Sequence, residues 1–418
     1  MTGRTAAGTT VVVHGTTLAG LAAAIRLAKA GHRVLLDTAG EPLGGHWAGG
    51  DGVPDSLPQT VALRAAWMDL LRKSGRAFDA ELARHHLTLA PAPPTEHLFP
   101  DGRRLLLPAE RGAQFHAVAD AFGEPAAERW STLLDEAGEV WLALRRLGAE
   151  HPRPPTLTRD ERRAVWARHS LEQIAARLRE PHLARVVTSL APIAGAADGS
   201  APALLLTRAA IDRQFGRWNL VDEDTGHPQP AGKLIDVLVE RLAQRRVEVH
   251  DTPDGLPGHP DAELDARPAP PTGWLGRRTA PPALAPAVRR DTLPRDTSPH
   301  DGATPPGIAC TIEHHDAGPI VRWRRPAGEV IEMIEHDHRS ATPSPEWGLA
   351  PASWRSWLAR PSLHGPDGRW QASAAGPAGN EPWAELLSAA LAVYEIHESL
   401  TGEDIRPTNR GPRAPRPS

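Results

Sequence analysis

Near the N-terminus the chain reads Thr10-Val11-Val12-Val13-His14-Gly15-Thr16-Thr17-Leu18-Ala19-Gly20, then an Ala-rich run to Ala30, then Gly31 and Arg33-Val34-Leu35-Leu36-Asp37-Thr38. Three consecutive β-branched residues suit a strand buried on both faces of a parallel sheet. The Ala-rich run favours a helix, and Gly31 is placed to end it. A second apolar strand follows. Strand, glycine turn, helix and strand in this order form the opening of a dinucleotide-binding fold.

In the Gly-x-Gly-x-x-Gly fingerprint the first glycine makes the tight turn. The second admits the pyrophosphate, and the third lets helix pack on strand. Gly15 and Gly20 keep the first and third tasks, but Thr17 stands in the second place. A β-branched side chain there is expected to intrude on the pyrophosphate. The acidic residue for the ribose falls on Asp37 by spacing, or on Thr38 when counted back from Gly44-Gly45. The topology signal is therefore stronger than the ligand signal. A Rossmann-like core that no longer holds a nucleotide is the competing reading.

Working outward, Gly40 to Trp47 is a turn-rich loop, and Val61 to Ser74 is expected to be helical. Two extended pieces are expected between Leu87 and Leu107, around Phe99-Pro100-Asp101-Gly102. Ala109 to Leu190 carries apolar residues at helical spacing (Trp130, Leu133, Leu134, Ala137, Trp141), broken at His151-Pro152-Arg153-Pro154-Pro155. A helix over Leu234 to Gln244 and a strand at Val247-Glu248-Val249 suggest another unit of the sheet. Asp251 to Pro306 is dense in Pro, Gly and Asp and is expected to be irregular, with no strand. A hairpin turns at Pro326-Ala327-Gly328, Trp370-Gln371-Ala372 is a strand, and Glu381 to Leu400 is a helix.

Composition narrows the function. The 418 residues carry a net charge of −4 with no basic block, so nothing points to nucleic acid. The single cysteine, Cys310, excludes an internal disulfide and a cysteine-rich metal site. No apolar run reaches membrane-spanning length. The segment before Thr9 lacks the apolar stretch of a signal peptide, so the expected location is cytoplasmic. His314-His315-Asp316 and His336-Asp337-His338 offer metal-binding side chains, but a full ligand set is missing and solvated hairpin ends are the expectation. No metal site is assigned. There is no Gly-x-Ser-x-Gly nucleophile turn. Trp47, Trp218 and Trp383 are read as core residues, with lining of a substrate cavity as the alternative.

The βαβ opening, Leu43-Gly44-Gly45, the approach from Asp51 to Thr60, Trp67 to Gly75, Phe99-Pro100-Asp101-Gly102, Pro230 to Val249 and the C-terminal strand–loop–helix together resemble the phytoene desaturase branch of FAD-dependent oxidoreductases, related to amine oxidases. The resemblance implies an α/β fold: a Rossmann-like FAD/NAD(P)-binding domain with an inserted, largely helical substrate domain. It divides the chain into cofactor segments 1–80, 226–250 and 369–402. Substrate segments are 81–225 and a hairpin region 307–368, with an irregular stretch 251–306 and a tail 403–418. It implies oxidation of a small organic substrate by hydride transfer to FAD. The cofactor-binding candidates are Gly15, Thr16, Thr17, Leu18, Ala19, Gly20, Asp37, Thr38, Gly44, Gly45, His46, Ser373 and Ala374. No catalytic acid or base is assigned.

Five departures from the family pattern touch the same cofactor: Thr17, Thr38, Leu57 in Asp55-Ser56-Leu57, Ser373-Ala374 in place of Gly-Asp, and no apolar strand soon after Val249. Two or three lost charged contacts weaken binding by roughly a thousandfold. Two expectations follow. One is an oxidoreductase that holds FAD weakly. The other is a non-catalytic relative that has lost FAD and binds a protein partner.

Overall fold

Residues 6–48, 56–268, 281–294, 307–361, 363–365 and 368–407 are described in a computed structural model. The α/β expectation holds. A five-stranded parallel sheet runs in the order Trp370–Gln371, Ala262–Asp265, Thr10–His14, Arg33–Asp37, Glu248–His250. Val11 and Val13 are wholly buried at its centre. The helix Leu18–Lys29 buries Leu18, Leu21, Ile25 and Leu27 and packs against Lys233–Gln244 and Pro382–Thr401. Ala30 closes the helix and Gly31 follows at φ 100°, in the left-handed region where glycine carries no Cβ penalty. One contiguous apolar core joins these helices to the inserted helical segment between Arg111 and Phe215.

A second, six-stranded sheet runs in the order Pro282–Pro294, Val330–Leu349, Gly318–Ala327, Ala309–His315, Thr95–Leu98, Arg104–Leu107. A small third sheet pairs Val61–Ala62 and Leu87–Pro91 with Arg217–Asp222. The predicted hairpin is present, though its second strand continues from Glu335 on to Leu349. Among the described residues no helix is long and apolar enough to cross a membrane.

Several expectations need correction. Asp251 to Pro306 is not free of strands. Ala262–Asp265 pairs with the first strand of the parallel sheet, so the strand thought missing after Val249 exists thirteen residues on. Pro282–Pro294 forms the edge of the second sheet, where proline is tolerated because one side of the ladder is unpaired. Its register shifts between Ala285 and Ala287, at Pro286. Residues 269–280 and 295–306 of that stretch lie outside the described residues, as do 51–55 of the approach and 408–418 of the tail. The helix expected from Val61 begins at Arg64, because Val61–Ala62 pairs as a strand. Three strands, not two, lie between Leu87 and Leu107.

Candidate functional site

The first strand ends at Gly15, whose N–H donates to the Asp37 carbonyl at 2.9 Å and whose φ is 104°. A Cβ there would stand 2.8 Å from Cγ of Arg267, and one at Gly20 would stand 2.1 Å from the Gly15 carbonyl oxygen. Both glycines are therefore required by close packing. Thr17 caps the helix: its hydroxyl donates to the Ala266 carbonyl at 3.0 Å and accepts from the Gly20 N–H at 3.4 Å. Thr16, Thr17, Leu18 and Ala19 are all buried.

The anion-attracting end of this helix already has an occupant. Glu385, in the first turn of Pro382–Thr401, is wholly buried. Its Oε2 accepts from the Ala19 N–H at 3.3 Å, and its Oε1 accepts from the Trp47 indole N–H at 2.5 Å. Burial pushes its pKa up to about 7, while hydrogen bonds from Trp47, Ala19 and Thr17 pull the other way. No cation pairs with it among the described residues. Sequence reasoning passed over this residue. The available signal was a lone acidic residue within the apolar run Trp383-Ala384-Glu385-Leu386-Leu387.

The loop after the second strand lies directly on the turn. The Gly44 N–H donates to the Thr16 carbonyl at 2.8 Å, and a Cβ on Gly45 would touch Thr17. The His46 ring lies against Trp47, centroids 4.1 Å apart and tilted by 41°, and neither ring nitrogen has a hydrogen-bond partner among the described residues. Burial lowers its pKa to about 3, so the ring is neutral. Asp37 accepts a hydrogen bond from His14 at 2.8 Å, and the Thr38 hydroxyl donates to Asp251 at 2.8 Å. The structure thus brings Gly15 to Gly20, Asp37, Thr38 and Gly44 to His46 together. Ser373 lies apart from them, in the loop that precedes the C-terminal helix Pro382–Thr401, where its N–H donates to the Ser388 hydroxyl of that helix at 3.3 Å. Ala374 is buried, and its carbonyl lies against Gly348.

Trp47 separates this filled turn from a cavity of about 150 Å³ that it lines with Trp323, Trp347 and Trp383. A second cavity of about 110 Å³ adjoins it and shares Arg208, Asp212 and Arg217. Arg208 is held by Glu381 and Asn380, both at 2.6 Å, and Arg217 by the Thr60 hydroxyl at 2.6 Å and the Thr95 hydroxyl at 3.1 Å. Asp212 faces the space between them. Burial pushes its pKa up to about 6, against the pull of Arg217. His336 and His338 are buried and line the first cavity, so they are not solvated hairpin ends. His314, also buried, lines the second, where its ring accepts from or donates to His97 at 3.0 Å and Ser189 at 2.9 Å. Trp47 and Trp383 are buried in the main apolar core, as expected, and also line the first cavity. Trp218 does not, and lies under the Arg64 guanidinium at 4.2 Å.

Residues 10–252 match the FAD binding domain family. The chain belongs to that family. It is 30% identical over 213 residues to hydroxyneurosporene desaturase of Rhodobacter capsulatus, covering 47% of this chain and 42% of that protein. It is 34% identical over 148 residues to the Cereibacter sphaeroides hydroxyneurosporene desaturase, covering 34% and 29%. The chain therefore spans less than half the length of these curated relatives. The fold is shared with cyclohexylamine oxidase from Brevibacterium oxydans, at 13% identity and a TM-score of 0.60, over 94% of this chain and 99% of that one. It is also shared with a putrescine oxidase variant at 12% identity and a TM-score of 0.59, over the same shares.

Family membership supports FAD as the cofactor. The donor chemistry of the turn fits it: the Ala19 N–H is already engaged by a carboxyl oxygen, supplied by Glu385. The space is what is taken.

Proposed function

We propose that this chain is an FAD-dependent oxidoreductase of the phytoene desaturase type that holds its flavin weakly and takes a small, mainly apolar molecule in the cavity beside Asp212. The observation that carries this reading is the tryptophan-walled cavity, which is linked to the glycine turn of an FAD-binding family fold through Trp47 and Glu385. Gly15 to Gly20, Asp37, Gly44 and Gly45 would hold the ADP half. When bound, FAD supplies the hydride acceptor. The indoles of Trp323, Trp347 and Trp383 exclude water from the cavity and orient an apolar ligand. Arg208 and Arg217 are fixed by their partners and keep the charge of Asp212 balanced.

A second reading, a non-catalytic partner-binding subunit, is favoured by a separate observation. The polar groups that would meet the dinucleotide are already engaged within the chain: Ala19 by Glu385, Gly20 by Thr17, Gly44 by Thr16 and Asp37 by His14. The visible spectrum of the purified protein, followed by FAD titration, separates the two. Flavin bands, or saturable binding with a Kd in the micromolar range or above, are expected on the first reading. A colourless protein that ignores millimolar FAD overturns it in favour of the second.

A further inference from the structure

We infer that Glu385 is an internal stand-in for the cofactor's diphosphate, and that FAD enters only by displacing it. This rests on the reading that the chain takes FAD at all.

A helix N-terminus presents unpaired N–H groups and attracts negative charge. The helix Leu18–Lys29 offers such an end, and in this fold a diphosphate belongs there. The group found there is a carboxyl from a residue 366 positions away in sequence. It is wholly buried, has no cationic partner among the described residues and is held by two N–H donors. Burying a carboxyl without a counter-charge is unfavourable unless local donors compensate. The donors doing so are one N–H of the turn and the indole of the loop that follows Gly44-Gly45.

Three features tie this contact to ligand uptake. Glu385 reaches the turn from the C-terminal helix, while Gly44 and Gly45 pack on Thr16 and Thr17 of the same turn. Trp47, which donates to Glu385, is also a wall of the cavity, so displacement of the carboxyl frees the indole that borders the substrate space. Thr17 turns its hydroxyl toward Ala266. The acidic side chain is therefore the group that stands at the Ala19 N–H.

The test uses the full chain as wild type, Glu385→Ala and Glu385→Gln, each titrated with FAD by calorimetry and by tryptophan emission. Thermal unfolding checks that each is folded. Glu385→Ala is expected to lower the FAD Kd by at least about tenfold, equivalent to one charged contact. Inorganic pyrophosphate is expected to compete for the vacated place. Glu385→Gln, which keeps the shape and drops the charge, is expected to fall between; it carries the test if the alanine variant does not fold. Equal FAD affinity in wild type and folded variants overturns the stand-in role and leaves the cofactor reading intact. Absence of FAD binding in all three, with folding preserved, overturns the cofactor reading and this inference with it.

Discussion

Glu385→Gln is expected to stabilise the protein by about 2 kcal/mol at pH 8 and to change its stability little at pH 5. The sign follows from a carboxyl whose pKa is raised on folding, from 4.5 to about 7. Below pH 4.5 the folded and unfolded chains both keep the proton, and the group adds no pH-dependent penalty. Between 4.5 and 7 only the folded chain keeps it, so stability falls as pH rises. Above 7 both states are ionised and the full penalty of about 3 kcal/mol applies. Glutamine removes that titration. It still accepts from Ala19 but cannot also offer an acceptor to the Trp47 indole through its amide nitrogen, which returns about 1 kcal/mol. Urea unfolding of both proteins at pH 5 and pH 8 checks this, since all other titrating groups cancel in the difference. A stability gap that does not change with pH would remove Glu385 as the titrating group.

The second large effect is expected at Gly348. Its φ is 80°, and a Cβ there would stand 2.6 Å from the Ala374 carbonyl oxygen and 2.7 Å from the Ala374 carbonyl carbon. Both contacts are backbone, so no side chain can swing aside. Left-handed backbone strain and overpacking together put Gly348→Ala at about 2–4 kcal/mol of lost stability. Relief requires the strand end bearing Trp347 to part from the loop 373–376, and Trp347 is a cavity wall. The variant is therefore expected to show altered tryptophan emission as well as a lower urea midpoint. Gly138→Ala is the control. It lies within the helix Glu124–Leu144 with open space around its added methyl, and is expected to gain up to about 1 kcal/mol. A Gly348→Ala protein as stable as the wild type would show that the loop 373–376 is not fixed against this strand.

How much of this was legible in the sequence differs from element to element. The run Val11-Val12-Val13, the alanine helix and Gly31 revealed the nucleotide fold because every local preference agreed with the tertiary outcome. The strand Ala262–Asp265 was hidden because only Leu264 of its four residues is buried, and its surroundings are proline and glycine. Pro282–Pro294 was hidden by its prolines, which an edge position tolerates. At the site, spacing identified the turn and the loop that lies on it. Asp212 and Trp347 arrive from an ordinary-looking helix and strand, and no local pattern marks them; Glu385 stood out only as a lone acidic residue in an apolar helix, with nothing to show that it reaches the turn. Thr17 was visible as a departure, but its consequence was not: only the position of the Ala266 carbonyl shows which way its hydroxyl turns.

The parallel sheet has a further consequence for synthesis. The first strand has Arg33–Asp37 on one side within a few dozen residues, but its other neighbour is Ala262–Asp265, and that strand is in turn flanked by Trp370–Gln371. A nascent chain therefore emerges from the ribosome with one long edge of its N-terminal βαβ unit bare until residue 265 has been made. Glu385, which fills the turn, arrives later still. Such late closure slows folding and leaves unpaired backbone exposed meanwhile.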